Sequence, residues 1–256
     1  MARIFVSGST TGLGLIAGKR LLAGGHAVIF HARNEARAAD LGRELADARR
    51  ASIVIGDLGV IEETRAVAGQ VNALGPVDAA IHNAGVGYGG APRQTADGLP
   101  DTFAVNVLAP YILTALIKGP TRLVYLGSSM HHVAPNLEDA LWRNRRWNGS
   151  QAYSESKLYV TALAFAIARL RPHIRSNAVD PGWVPTRMGG SGAPDNLEEG
   201  AATQIILASG GDDRLSLLTG QYLHHMEVRQ PARAVRDVAL QHGILDLCAE
   251  ISEVSL

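Results

Sequence analysis

The chain reads as an α/β protein: a doubly wound parallel sheet of about seven strands with helices on both faces. Three observations carry that expectation. Short apolar runs alternate with longer amphipathic segments along most of the sequence, the pattern of successive strand–helix–strand units. The first apolar run leads directly into a glycine-rich turn, Ser7-Gly8-Ser9-Thr10-Thr11-Gly12-Leu13-Gly14. A length of 256 residues with 46% hydrophobic content suits one domain with a full core. No linker, repeat or composition shift divides the chain, so residues 1–256 are taken as one domain.

The elements follow in order. Ile4 to Val6 is a first strand and Leu13 to Ala23 a helix. Ala27 to His31 is the second strand, followed by a charged helix over Glu35 to Ala48. Ser52 to Ile55 is a third strand that ends at Asp57. Glu62 to Leu74 is helical and stops before Gly75-Pro76. Val77 to His82 is the fourth strand and Leu123 to Leu126 the fifth; Leu99 to Lys118, between them, is mostly helical. Gln151 to Arg171 is a long helix ended by Pro172, and Ile174 to Val179 is a sixth strand. Gly189 to Asn196 reads as a glycine-rich loop, and Gln230 to Leu247 as helical.

Composition excludes several classes. Formal net charge is zero, which gives no reason to expect a nucleic-acid or membrane-surface partner. No apolar stretch approaches the ~18 residues of a membrane span. The short run at Ile4 is no signal-peptide core, so a cytoplasmic setting is expected. The single cysteine, Cys248, rules out an intramolecular disulfide and a cysteine-cluster metal site. The histidine pairs His131-His132 and His224-His225 lack the acidic or cysteine partners of a metal centre, so no metal is expected. His131 is instead a candidate for the wall of a substrate pocket.

The glycine turn sits where a strand gives way to a helix, which is the context a dinucleotide pyrophosphate needs. Gly8 allows the tight turn, Gly12 lets backbone approach the phosphates, and Gly14 lets the helix pack closely on the sheet. The helix N-terminus then presents free N–H groups to the anion. At the end of the second strand an NAD site places an acid for the ribose hydroxyls. This chain has His31-Ala32-Arg33 there. Arg33 can grip a 2′-phosphate, with Arg37 one turn on, and NADP(H) is therefore expected over NAD(H). The competing reading of Arg33 is a solvated residue ahead of a charged helix.

Tyr153-Ser154-Glu155-Ser156-Lys157 places a phenol and an ammonium on one helical face, one turn apart. A nearby cation favours phenolate, which makes the pair a candidate general acid/base. Lysine occurs only at 19, 118 and 157, and arginine would not serve as the same compact ammonium.

These motifs together resemble the classical short-chain dehydrogenase/reductases, with the resemblance running from Ile4 to about Gly220. Ser7 to Gly14 is similar to the family's TGxxxGxG loop, with serine for threonine. Asp57-Leu58 matches the adenine-contacting dipeptide, Asn83-Ala84-Gly85 the Asn-Ala-Gly motif, and Asn106 the helical asparagine. Ser128-Ser129 sits where the catalytic serine belongs. Tyr153 and Lys157 match YxxxK, and Pro181, Gly182, Val184 and Thr186 match the segment that holds the nicotinamide. Within the family, Gly127 to His132 and Arg33 bring the chain closest to retinol dehydrogenase-like reductases.

The resemblance implies a Rossmann-type fold and a Ser-Tyr-Lys mechanism. Tyr153 exchanges a proton with the substrate oxygen. Lys157 lowers the Tyr153 pKa and binds the nicotinamide ribose. Asn106 holds a water that links Lys157 to solvent. Neighbouring residues on a strand face opposite ways, so only one of the serine pair faces the site; the family pattern selects Ser129. Asn83 is expected to order the loop more than to touch ligand, leaving small Ala84 and Gly85 beside the cofactor. Residues 187–200 form the substrate loop, short and glycine-rich, hence an open pocket. Arg143, Arg145 and Arg146, among Trp142 and Trp147, are read as a solvated surface over an acid-recognising one. The implied activity is hydride transfer between NADP(H) and a small-molecule carbonyl or alcohol such as an aldehyde, ketone, steroid or retinoid. Homodimers or homotetramers through the helices of Asn106 and Tyr153 are the family's habit. A sugar-nucleotide epimerase or dehydratase, or a non-catalytic NADP-responsive binder, are the competing classes. The first lacks its longer C-terminal domain here, and the second would have lost one of the active-site residues.

Overall fold

Period-two burial in the strands accounts for the layers. A computed structural model describes residues 1–46, 48–89, 91–212 and 214–256. In the first strand, β1 (Arg3–Val6), Phe5 turns to one core while Ile4 and Val6 turn to another. The same division runs through β2 (Ala27–Ala32), β4 (Ala79–His82), β5 (Arg122–Leu126) and β6 (Arg175–Asp180). A strand buried on both faces reads as a continuous apolar run, which is why these segments stand out in the sequence. With β3 (Ala51–Ile55), β7 (Tyr222–His224) and β8 (Glu227–Arg229), they form one sheet of order β3-β2-β1-β4-β5-β6-β7-β8. Pairing is parallel except for the antiparallel β7–β8 hairpin. Strand order reverses between β1 and β4, the place where such sheets open a ligand crevice.

One core packs under α1 (Gly12–Ala23) and α7 (Leu197–Ser209). The other packs under α3 (Ile61–Ala73), α5 (Ala109–Leu116), α6 (Gly149–Leu170) and α8 (Val238–Ser252). Helix α2 (Glu35–Glu44) is capped by Asn34 and is shorter than its sequence pattern predicts; position 47 lies outside the described residues. The segment expected to be mostly helical before β5 is three pieces. A single turn, α4 (Asp101–Phe103), passes through a π-helical stretch, Ala104–Leu108, into α5. Pro110 supplies the cause: it has no N–H to give the carbonyl of Asn106, four residues back.

The region after Pro181 departs most from the sequence reading. Helix α7 was hidden because nearly every face of it is buried, by Gly200, Ala201, Thr203, Gln204, Ile205, Leu207 and Ala208, which erases amphipathic periodicity. Its ends do carry signals: Asn196 accepts from the backbone N–H groups of Glu198 and Glu199, and Gly210 ends it at φ +71°. The β7–β8 hairpin turns on His225 and Met226, with φ of +46° and +65°, positions where Asn-Gly is the usual marker. Gln230 to Leu247 resolves into a 3-10 turn, Arg233–Arg236, and α8, which Asp237 caps.

Candidate active site

The glycine turn is built as a cradle at the crevice. Gly8 has φ +61°, and a Cβ on it would lie 2.7 Å from the Cα of Ala84. A Cβ on Gly14 would lie 2.4 Å from Asn83 Nδ2 and 2.5 Å from the Gly8 carbonyl oxygen. Gly14 is therefore needed for packing against the turn and Asn83 more than against the sheet. Asn83 Nδ2 donates to the carbonyls of Ser7 and Gly8, both at 3.0 Å, and the Ala84 N–H donates to Ser7 Oγ at 3.0 Å. Asn83 thus orders the loop. Thr11 caps α1 without a side-chain bond and is exposed, with Thr10 half-buried beside it, so the helix N-terminus faces outward unblocked. Thr186 packs its methyl group over Gly12. Leu13 lies half-buried, with a methyl near Gly200 of α7, which leaves only its backbone for an anion.

Ser9 corrects the sequence reading. It is fully buried; its Oγ donates to the Val6 carbonyl at 2.8 Å and accepts from the His31 N–H at 2.8 Å, and its own N–H donates to the His31 carbonyl. Ser9 staples the turn to β1 and β2 and has nothing left for a phosphate. His31 completes the staple. Nδ1 accepts from the Gly8 N–H at 2.9 Å and Nε2 donates to the Gly56 carbonyl at 2.8 Å. Burial lowers its pKa, in keeping with a neutral ring. The sequence reading used His31 only as a non-acid, and no residue pattern flags the role.

Arg33 is exposed at the end of β2, with no hydrogen bond or ion pair among the described residues, and Asn34 beyond it is occupied with capping α2. Asp57 spends Oδ1 on the Gly59 N–H at 2.9 Å, leaving Oδ2 available, while the Leu58 side chain is core. The cradle, the open helix terminus and the exposed arginine fit an adenine dinucleotide carrying a 2′-phosphate.

Beyond the cradle, α6 carries Tyr153 and Lys157 against the C-terminal end of β5. Both are buried, at 7% and 5% exposure. Lys157 Nζ donates to the Leu126 carbonyl at 2.7 Å and lies 5.6 Å from the centre of the Tyr153 ring. Burial lowers the Lys157 pKa to about 8, opposed by the charge of Asp180. Burial raises that of Tyr153 to about 12; Ser128 lowers it, and Asp180 and Tyr88 raise it. Burial of the phenol is the largest of these effects on Tyr153.

The two serines are placed differently. Ser128 is half-buried and close enough to Tyr153 to lower its pKa; Ser129 is exposed and begins a 3-10 turn, Ser129–His131. Strand β5 ends at Leu126, so the alternation rule does not reach the pair, and Ser128 is oriented as the cap of that turn, with the Met130 N–H donating to its Oγ at 3.2 Å. Asn106 binds Val86 through both amide atoms, at 2.8 and 3.1 Å, and donates to Ser156 Oγ at 2.9 Å. Its side chain fixes the loop holding Gly85, while its carbonyl lacks the Pro110 donor. A Cβ on Gly85 would stand 3.4 Å from Asn106 Oδ1 and 3.7 Å from Lys157 Nζ. Pro181 and Gly182 lead away from Asp180 into the loop, Gly182 at φ +81°, and Val184 is buried against Gly200.

His131 does not line a pocket. It is fully buried, bonds Ser128 O through Nδ1 at 2.6 Å, and accepts the Ala232 N–H at Nε2, 2.9 Å. Arg145 is no solvated arginine either. It forms a bidentate pair with Glu155, stands 3.6 Å over Trp142 and donates to the Asp139 carbonyl; Arg143 and Arg146 are exposed as expected. Among the described residues, no group of three or more His, Cys, Asp or Glu side chains is placed to hold a metal ion. Among the described residues, no helix is long and apolar enough to cross a membrane.

A crevice at the reversal of strand order, a glycine cradle and a buried Tyr-Lys pair define an oxidoreductase of the nicotinamide-binding α/β class. Comparison narrows this. Residues 2–119 match the short chain dehydrogenase family. The chain is 38% identical to the short-chain dehydrogenase chry4 of Gibberella zeae, covering 100% of this chain and 99% of that one. It is 30% identical to human retinol dehydrogenase 13, covering 73% of this chain and 60% of that one. A blue fluorescent protein from a metagenomic library, solved in complex with NADPH, superposes with a TM-score of 0.70 at 26% identity, covering 87% of this chain and 95% of that one. The protein belongs to the short-chain dehydrogenase/reductase family.

Proposed function

We propose that the protein is an NADP(H)-dependent oxidoreductase that interconverts a carbonyl compound and its alcohol, of the EC 1.1.1 type. The observation that carries this reading is the buried Tyr153–Lys157 pair beside the glycine cradle, with half-buried Ser128 next to it. Gly8, Thr10, Thr11, Gly12, the Leu13 and Gly14 backbone, Asp57, Ala84, Gly85, Pro181, Gly182, Val184 and Thr186 would hold the dinucleotide, and Arg33 its 2′-phosphate. The NADPH bound by the metagenomic relative supports the choice of cofactor. The chemistry supplied by a bound nicotinamide is the hydride.

The chain's own groups do the rest. Tyr153, a neutral phenol at pH 7 whose pKa burial raises further, to about 12, gives its proton to the carbonyl oxygen. Ser128, rather than Ser129, hydrogen-bonds the same oxygen and polarises it. The Lys157 ammonium holds the ribose hydroxyls and favours reprotonation of Tyr153 through a water at the Asn106 carbonyl. Tyr88 and Met188, both exposed, border the opening. The Tyr88 ring lies 5.3 Å from that of Tyr153, and Met188 lies over Gly87. That apolar rim fits a lipophilic carbonyl and an open substrate loop over 187–196; positions 197–200 of the expected loop are the first turn of α7.

We assign the protein to the cytoplasm, as a single domain. The helix faces expected to pair subunits are occupied within the chain: α6 is buried from Ala152 to Ile167 under cover that includes α8. An oligomer would have to use another surface. The test is NADPH oxidation against a panel of aldehydes, ketones, quinones and steroids, with Tyr153→Phe alongside. Turnover that disappears in the variant supports the reading. Tight NADPH binding with no turnover on any of the panel supports a non-catalytic binder.

A further inference from the structure

Asp180 is a buried carboxylate for which the mechanism above has no use. It is the last residue of β6 and is 6% exposed. A carboxylate there is costly unless it is held. Two donors hold it: the Gly182 N–H on Oδ1 and the Tyr222 hydroxyl on Oδ2, each at 2.9 Å. Neither carries a charge. Among the described residues its only ion-pair candidate is His224, with Nδ1 3.8 Å from Oδ2.

Register places this anion beside the catalytic ammonium. Leu126 pairs with Val179 across β5 and β6, and the Gly127 N–H donates to the Val179 carbonyl at 2.8 Å. Leu126 is the residue whose carbonyl receives Lys157. Asp180 therefore stands one residue beyond that contact on the neighbouring strand. The Tyr222 ring that holds Asp180 passes close to Gly127 and lies 4.6 Å from His131. Among the described residues Lys157 has only a neutral carbonyl as hydrogen-bond partner, and no contact ion pair.

We propose that Asp180 is a positioning residue of the catalytic centre, the counter-charge that keeps the buried Lys157 ammonium protonated at working pH. The kinetic consequence rests on the reductase reading; the electrostatic statement does not. Electrostatics agree in sign. Burial lowers Lys157, and Asp180 is the charge that raises it again. The same carboxylate raises Tyr153. Asp180 thus favours the protonated form of both partners, the form in which tyrosine donates a proton beside an ammonium. The titratable groups around it are Tyr153 and Lys157 from α6, His131 after β5, Tyr222 and His224 from β7, and His225 at the hairpin tip. Asp195, whose carboxylate accepts from the Trp183 N–H, lies on the far side of Gly182.

The chain's three lysines make this directly measurable. Lys19 and Lys118 are exposed and Lys157 is buried. In protein labelled with 13Cε-lysine, Lys19→Arg and Lys118→Arg assign the signals, and the Lys157 signal is followed against pH. The wild type should titrate near 8. In Asp180→Asn, which keeps the shape and removes the charge, the midpoint should fall by on the order of one pH unit. Tyr222→Phe, which keeps the charge, should move it far less. If Asp180→Asn does not fold, Asp180→Ser gives the same reading. The measurement needs no substrate, so its failure is distinct from failure of the reductase reading. Where turnover is found, the alkaline limb of kcat/KM should move down with the Lys157 midpoint. A Lys157 midpoint unchanged within a few tenths of a unit in a folded charge-removing variant overturns the proposal and leaves Asp180 a structural cap for the Tyr222 hydroxyl.

Discussion

Arg145→Ala should be among the most destabilising arginine changes in the chain. Glu155, its partner, lies in α6 two residues from Tyr153, and its side chain is 2% exposed while that of Arg145 is 24% exposed. The substitution removes two charge-assisted bonds of 2.7 and 2.5 Å, the bond to the Asp139 carbonyl at 3.0 Å, and the stacking on Trp142. It leaves Glu155 with one donor, Gln151 Nε2 at 3.0 Å. Stranding one member of a buried pair costs about 3–5 kcal/mol, and the partial exposure of Arg145 points to the lower end, about 3 kcal/mol. At about 2–4 °C per kcal/mol for a chain of this size, the melting temperature should fall by roughly 6–12 °C. Circular dichroism melts at pH 7 read this directly. Arg146→Ala is the control: that residue is exposed, and its loss should cost less than about 0.5 kcal/mol. Adding Glu155→Gln to Arg145→Ala should restore part of the loss, because the stranded charge is gone. An Arg145→Ala melt indistinguishable from that of Arg146→Ala would refute the reasoning and return the arginine-rich segment to a solvated surface.

Other outcomes follow from the same geometry. Ser128→Ala should lower kcat/KM by about 10²–10³ and Ser129→Ala by only a few fold, as expected for loss of one donor to the reacting oxygen; the reverse ranking would restore Ser129. Gly14→Ala forces a methyl to 2.4 Å from Asn83 Nδ2, so NADPH affinity measured by calorimetry should drop at least about tenfold; unchanged affinity would place the dinucleotide elsewhere. Arg33→Ala should weaken NADPH by roughly 10–100-fold, the worth of a charged hydrogen bond, and leave NADH nearly unaffected. Equal loss for both cofactors would mean that Arg33 does not read the 2′-phosphate.

Legibility in the sequence tracked how local the cause of each feature was. The strands β1, β2, β4, β5 and β6 were readable because burial on both faces writes a continuous apolar run. The glycine turn was readable because its φ angles and close contacts admit almost nothing else. Helix α7 was not, because burial on nearly all sides removes its stripe, and the β7–β8 hairpin was not, because His225 and Met226 occupy positive φ without the usual turn residues. Among site residues, Tyr153, Lys157, Asn83 and Gly85 were brought together as their motif order implied. The alternation argument for the serine pair does not apply, because β5 ends at Leu126, two residues before Ser128. The upward shift of Tyr153 comes from its burial, which spacing along a helix does not reveal. Asp180 and His31 drew no notice, since a lone acid before Pro-Gly and a histidine within an apolar run carry no local signature.

Ser9, His31, Asn83, Asn106 and His131 share one property that changes how the site should be read. Each is a polar side chain among the residues or neighbours of residues that a motif reading assigns to ligand, and each instead spends its hydrogen bonds within the protein: on the backbone of Val6, Gly8, Gly56, Ser7, Val86, Ser128 and Ala232, and for Asn106 also on Ser156 Oγ. Buried polar groups persist when they are satisfied, and here that satisfaction fixes loops on opposite sides of the crevice. The ordering cost of the cradle is thereby met in folding and not at the moment of binding. Loss of cofactor affinity on replacing any of these residues is consequently no evidence of contact with the cofactor. Contact is argued for groups whose bonding capacity remains open: the N-terminus of α1 with Thr11, the guanidinium of Arg33, Oδ2 of Asp57 and the ammonium of Lys157.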